Sequence, residues 1–116
     1  MYNVLVFGMT DNPGGMESVI TNYVRSSDVR IFHFDFLTNY QKIAYQSEIQ
    51  DRGGKIFSLP QRHKNFIKFR HALREFMQAN IRKYDVFWVN LCDLGNIDYI
   101  VQAKAFGAKR IILHCH

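Results

Sequence analysis

Short runs of consecutive apolar residues alternate along this chain with stretches in which apolar residues recur every three or four positions. Val4-Leu5-Val6-Phe7 is apolar at every position, the pattern of a strand covered on both faces. Met16, Val19, Ile20, Tyr23 and Val24 follow at helical spacing, so a helix is expected over 16–25. Arg30 to Leu37 predicts a second strand, with Phe32, Phe34 and Phe36 on one face and His33 and Asp35 on the other. A weaker helix is expected over 43–52, stopped by Gly53-Gly54, and a third strand over Lys55 to Leu59, closed by Pro60. The longest helix should start at Asn65, a good N-cap, and run to Arg82 with Phe66, Phe69, Leu73, Phe76 and Met77 as its buried stripe. Val86-Phe87-Trp88-Val89 predicts a fourth strand, 97–106 a fourth helix ending at Gly107, and Arg110 to Leu113 a fifth strand.

This βα alternation calls for one α/β domain over 1–116, a Rossmann-like parallel sheet of about five strands with flanking helices. The expected strand order is 3-2-1-4-5. Composition agrees: 116 residues, 47% hydrophobic and 15% aromatic, suffice for one packed domain and exclude a disordered tail. Fifteen Lys+Arg against ten Asp+Glu leave a net charge of +5, which favours anionic partners. Cys92 and Cys115 are too few for a disulfide scaffold and suit a reducing, cytoplasmic setting. The N-terminus lacks a basic region ahead of its short apolar run, unlike a signal peptide. No stretch approaches the roughly 18 apolar residues of a membrane span.

In such a sheet, ligands collect at the carboxyl ends of the strands near the reversal of strand order. There the loop Gly8 to Gly15 leads straight into a helix. Gly14, Gly15 and Met16 are its candidate substrate- or phosphate-binding segment, because paired glycines admit a ligand to the backbone and helix-start amides attract anions. The alternative is a flexible turn needing positive φ at Gly14 or Gly15. His114 and His116 leave the fifth strand at the same end. No metal is expected, since a third ligand is missing and Cys115 points to the opposite strand face. Proton relay or hydrogen bonding to a ligand suits both imidazoles, with frayed terminal residues as the other reading. Arg62, His63, Lys64, Lys68, Arg70, His71 and Arg74 form a basic cluster on the long helix and its entry. It reads as a solvated face, or as a peripheral membrane contact through Arg62, Lys64, Lys68 and Arg70 beside Phe66 and Phe69. No nucleic-acid recognition motif accompanies the charge. Asp35 ends the second strand, where a carboxylate can meet a ribose as in dinucleotide enzymes; solvation on the strand's polar face is the expected role.

Several runs, in register, resemble family-4 glycosyltransferases. They are Val4 to Gly8 followed by Asn12-Pro13-Gly14-Gly15-Met16-Glu17, Phe34-Asp35-Phe36-Leu37, Gly53-Gly54-Lys55-Ile56 with Leu59-Pro60, Tyr84-Asp85-Val86, and His114-Cys115-His116. The combination is similar to the subset that builds capsular and exopolysaccharides. The resemblance implies a retaining, nucleotide-sugar-dependent hexosyltransferase of the two-Rossmann-domain GT-B architecture. Its N-terminal domain mainly holds the acceptor, a sugar or lipid-linked sugar, and its C-terminal domain the donor. It implies no resident cofactor, because the nucleotide sugar is a substrate. By this likeness Gly14 and Gly15 approach the donor diphosphate or the acceptor, and His116 contacts the transferred sugar, with His114 beside it. Trp88 and Asn90 stand where relatives often carry histidines.

On that resemblance residues 1–116 are the front part of an acceptor-side domain, a truncated GT-B N-terminal domain whose donor-binding domain is absent. They are expected to be inactive alone and located in the cytoplasm, with peripheral contact at the inner face of the membrane as the further expectation. The fifth strand would then be a sheet edge, so a homo-oligomer through Arg110 to Leu113 is expected. A non-catalytic Rossmann-like interaction or ligand-binding module is the alternative. A receiver domain is excluded: it needs an acidic pair after the first strand, an Asp ending the third and a Lys ending the fifth. Here those positions hold only Asp11, then Leu59-Pro60, then His114. A dinucleotide-dependent oxidoreductase fails for want of G-x-G-x-x-G in the first turn.

Overall fold

The computed structural model describes residues 1–91 and 97–116. Five parallel strands, β1 (Tyr2–Phe7), β2 (Phe32–Thr38), β3 (Ile56–Ser58), β4 (Val86–Leu91) and β5 (Ile111–Cys115), lie in the order β3-β2-β1-β4-β5. The helices are α1 (Gly15–Ser26), α2 (Gln46–Asp51), α3 (Phe66–Asn80) and α4 (Ile97–Ala105), with a 3-10 turn over Ile81–Lys83. The expected Rossmann-like α/β fold and strand order are therefore the observed ones.

The central strands are apolar at successive positions because each face meets helices. Leu5, Phe7, Phe87 and Val89 pack on one face against Phe69, Leu73 and Met77 of α3 and Tyr99 of α4. Val4, Val6, Phe34 and Phe36 pack on the other against Ile20 and Val24 of α1 and Ile49 of α2. Asn65 caps α3 as expected, its side chain accepting the Lys68 amide at 3.1 Å. Gly53 ends α2 at φ +87° and Gly107 follows α4 at φ +90°, conformations that favour glycine.

Several expectations are corrected by packing. Val19, Tyr23 and Phe66 lie outside the core at 49%, 59% and 45% exposure. The buried side of α1 is narrower than its apolar stripe and includes Glu17 and Thr21 beside Ile20 and Val24. Residues 28–31 form a turn rather than strand, because the Asp28 carboxylate accepts the Arg30 amide and the Asp28 carbonyl accepts that of Ile31. The second helix starts only at Gln46, since Tyr45 takes a left-handed conformation. β4 and β5 each run two residues further than expected, which sets Asn90 opposite His114. Asp35 is not solvated: it is buried and accepts hydrogen bonds from the Tyr84 hydroxyl at 2.6 Å and the Lys55 amide at 2.9 Å, with His33 Nε2 at 2.7 Å. A carboxylate on an inner strand is tolerable when its oxygens are met in this way. Residues 92–96, which include Cys92 and make up the segment between β4 and α4, lie outside the described residues.

β5 forms one edge of the sheet, with Ile112 and Leu113 about half exposed. No helix among the described residues is long and apolar enough to cross a membrane.

Candidate functional site

Strand order reverses between β1 and β4, and their carboxyl ends meet through Asn90. Its Nδ2 donates to the Phe7 carbonyl at 3.2 Å, while its Oδ1 lies 2.9 Å from His116 Nε2. Because the Asn90 amide nitrogen is committed to a carbonyl, its oxygen faces the imidazole, so Nε2 is the protonated nitrogen. In the neutral ring Nδ1 is then the acceptor. The His116 amide also donates to the Leu91 carbonyl at 2.9 Å, which extends the β4–β5 ladder and holds the residue in place. Gly8 is required here. At φ +129° a Cβ would sit 2.6 Å from the Asn90 carbonyl oxygen and 2.7 Å from its Cβ.

The loop after β1 closes the other side. Glu17, on the first turn of α1, is almost wholly buried and accepts from Thr10 Oγ1 at 2.8 Å and from the Thr10 amide at 3.3 Å. The Thr10 carbonyl in turn accepts the Ala44 amide at 2.8 Å, tying the first loop to the segment after β2. Desolvation lowers the pKa of His116 below its ordinary value, and the charge of His114 lowers it further; the charge of Glu17 opposes both. The balance of these effects favours the uncharged ring. Glu17 influences both ends of the site: a Cβ on Gly14 would lie 3.0 Å from Glu17 Oε1, and the same carboxylate acts on His116.

Gly14 caps α1 at φ −82° and Gly15 is its first residue, neither with positive φ. The turn therefore does not need glycine for its backbone angles, which disposes of the positive-φ alternative at these two positions. A Cβ on Gly15 would meet nothing within 4 Å, so the open space there belongs to solvent or ligand. Met16 packs partly against the α1-side core. The His114 ring stacks on Trp88 with centroids 6.5 Å apart and lies tilted against His116 with centroids 4.3 Å apart. Among the described residues no three His, Cys, Asp or Glu side chains group as metal ligands. The chemistry available is hydrogen bonding: in the tautomer set by Asn90, His116 Nδ1 is an acceptor, while Glu17 is almost wholly buried and engaged by Thr10. Glu17 already counters the positive end of the helix dipole, so this terminus suits a sugar hydroxyl better than a bare phosphate.

The basic cluster is divided by the fold. Arg62 pairs with Asp98 at 3.1 Å and lies over the Phe66 ring. Lys64 and Lys68 line a cleft of about 1360 Å³ formed by residues 39–48, 58–61 and the start of α3. Arg70 is exposed on the helix, as is Ile67 at 81%.

Glu17 and Asn90 were not singled out for a role from the sequence. Glu17 keeps the i, i+3, i+7 phase of Ile20 and Val24, and Asn90 interrupts a strand that is otherwise apolar. A polar residue in a buried phase is the signal that would have found both.

No protein-family model matches the chain, and no curated protein matches it in sequence. Among solved structures it is similar to the C-terminal domain of a hydrogenase from Pyrococcus furiosus, at 10% identity and a TM-score of 0.61. The match covers 97% of this chain and 91% of that one. At that identity the likeness is one of fold, a small α/β domain.

Proposed function

We propose that residues 1–116 form the acceptor-side Rossmann-like domain of a retaining, nucleotide-sugar-dependent glycosyltransferase of surface polysaccharide synthesis, inactive without a second domain that binds the donor. The observation that carries this reading is the convergence of Gly14, Glu17, Asn90 and His116 at the reversal of strand order. Two of the runs that carry the resemblance, the first loop with Gly14 to Glu17 and the terminal His114-Cys115-His116, support this reading, because both stand at that end of the sheet. His116 orients a sugar hydroxyl, and Glu17 positions the first loop by accepting from Thr10. Most of the contacts to the leaving diphosphate, with the electrostatic stabilisation that dominates such transfers, belong to the donor domain.

Peripheral attachment at the cytoplasmic face of a membrane goes with this reading. Ile67 and Phe66 supply exposed apolar surface beside Arg70, a pairing suited to an acidic lipid interface.

The test is an NMR titration of residues 1–116 with a panel of nucleotide sugars and with free monosaccharides. Shifts centred on Gly14, Gly15, Glu17 and His116 are expected. Silence at all four residues at millimolar ligand, across the panel, would overturn the reading in favour of an interaction module. Gly15→Ala sharpens the test, because it removes open backbone without touching a neighbour. It should leave stability unchanged or raise it by up to about 1 kcal/mol, while weakening the titration at least tenfold.

A further inference from the structure

The cleft between the segment after β2 and the start of α3 is separate from the strand-reversal site, and the first loop is the wall they share. Thr10 faces the reversal site through Glu17, while its neighbour Asp11 lines the cleft. At about 1360 Å³ the cleft exceeds the roughly 300–1,000 Å³ typical of small-molecule pockets, so it has room for an oligomer rather than a single sugar ring. Its lining is amide-rich, with Asn39, Gln41, Gln61 and Asn65, and includes Tyr40 and Pro60. Amides donate and accept hydrogen bonds at once, as carbohydrate hydroxyls require, and flat apolar groups suit the C–H faces of sugar rings.

The charge of the lining sets the ligand class. Lys42, Lys64 and Lys68 all border the cleft, and none of them has an ion-pair partner among the described residues. Of the two carboxylates there, Glu48 is engaged by Arg25, whose Nη2 donates to Glu48 Oε1 at 2.7 Å. Among the described lining residues, Asp11 alone remains to offset three ammonium groups.

We infer that this cleft binds an anionic oligosaccharide, the charged stretch of the acceptor, through Lys42, Lys64 and Lys68. The inference rests on the acceptor-side reading above and extends it to the chemical class of the acceptor. The anionic group is a carboxylate of a uronic acid or a phosphate on the sugar, and the lysines serve either.

The experiment is calorimetry with NMR mapping on residues 1–116, using tri-galacturonate, a phosphorylated maltotriose, neutral cellotriose and inorganic phosphate as probes. One charged trisaccharide should bind at least tenfold tighter than cellotriose and than inorganic phosphate, with shifts at Lys42, Lys64 and Lys68. Which of the two it is identifies the source of the charge. Lys64→Ala with Lys68→Ala should weaken that binding at least tenfold and flatten its salt dependence, whereas Ile67→Ser should leave it unchanged. Equal affinity for cellotriose or inorganic phosphate, absence of binding by both charged trisaccharides, or shifts confined to Ile67 and Arg70 would each overturn the inference. Gly14 and His116 report on nucleotide sugars independently, so loss of the cleft and loss of the transferase reading are told apart.

Discussion

Gly8 and His116 each owe their role to Asn90. A methyl group on Gly8 would overlap the Asn90 backbone and demand a left-handed φ from an L-residue. Gly8→Ala should therefore cost about 2 kcal/mol or more in urea unfolding, from strain and displacement of the Asn90 bridge. His116 should titrate by NMR below the ordinary histidine pKa of 6.5. Burial favours its neutral form first and repulsion from His114 second, so His114→Ala should move its pKa up and Glu17→Gln should move it down. The linked effect on stability follows in sign. With the folded-state pKa depressed, the unfolded chain binds the proton more readily, so this contribution is fully present above pH 6.5 and is lost as pH falls through the folded value.

Among the elements, β2, β3 and the entry to β4 are joined by Asp35. It accepts from Lys55 at the start of β3 and from Tyr84 ahead of β4. Burial first, then the hydrogen bond to Asp35, push the Tyr84 phenol far above its ordinary pKa, so it remains a donor across the accessible pH range. Tyr84→Phe should destabilise the domain by about 1–3 kcal/mol in chemical denaturation, the cost of leaving a buried carboxylate oxygen without its donor. Helix α3 shows how one element serves three surroundings. Phe69, Leu73 and Met77 fill the core, Lys68 on its first turn borders the cleft together with Lys64 just ahead of the helix, and Ile67 and Arg70 face outward. Charge composition identifies such a helix as basic, but only its rotation against the sheet distributes those charges.

At the scale of the whole molecule, the described sheet has an edge at β5, where Ile112 and Leu113 stand half exposed beside unpaired backbone groups. Such an edge recruits another strand. Light scattering of residues 1–116 should accordingly give a dimer at high concentration, and Leu113→Lys should return it to a monomer. A monomer for the unsubstituted chain would rule the pairing out. Purified alone, the same residues should show no sugar transfer above background, because on the proposed reading the donor pocket lies in another domain.

The fold was legible because its causes are local. Consecutive apolar positions in Val4–Phe7 and Val86–Val89 demand burial on both faces, and the helical phase of Phe69, Leu73, Phe76 and Met77 demands burial on one. Together these leave few topologies beyond a parallel, right-handed sheet. The glycines at 14 and 15 and the terminal histidines were also recognisable as residues near the strand ends. What the linear pattern left open was which polar groups meet. Asn90 finds Phe7 and His116 through the register of three strands, Asp35 finds Tyr84 across 49 positions, and Lys64 and Lys68 come to border the same cleft as Lys42. Amino-acid order determined the layers, since burying apolar surface depends on periodicity alone. Tertiary structure decided the site, since hydrogen bonds and charges act over a few ångströms and only strand register and loop packing bring these partners within reach.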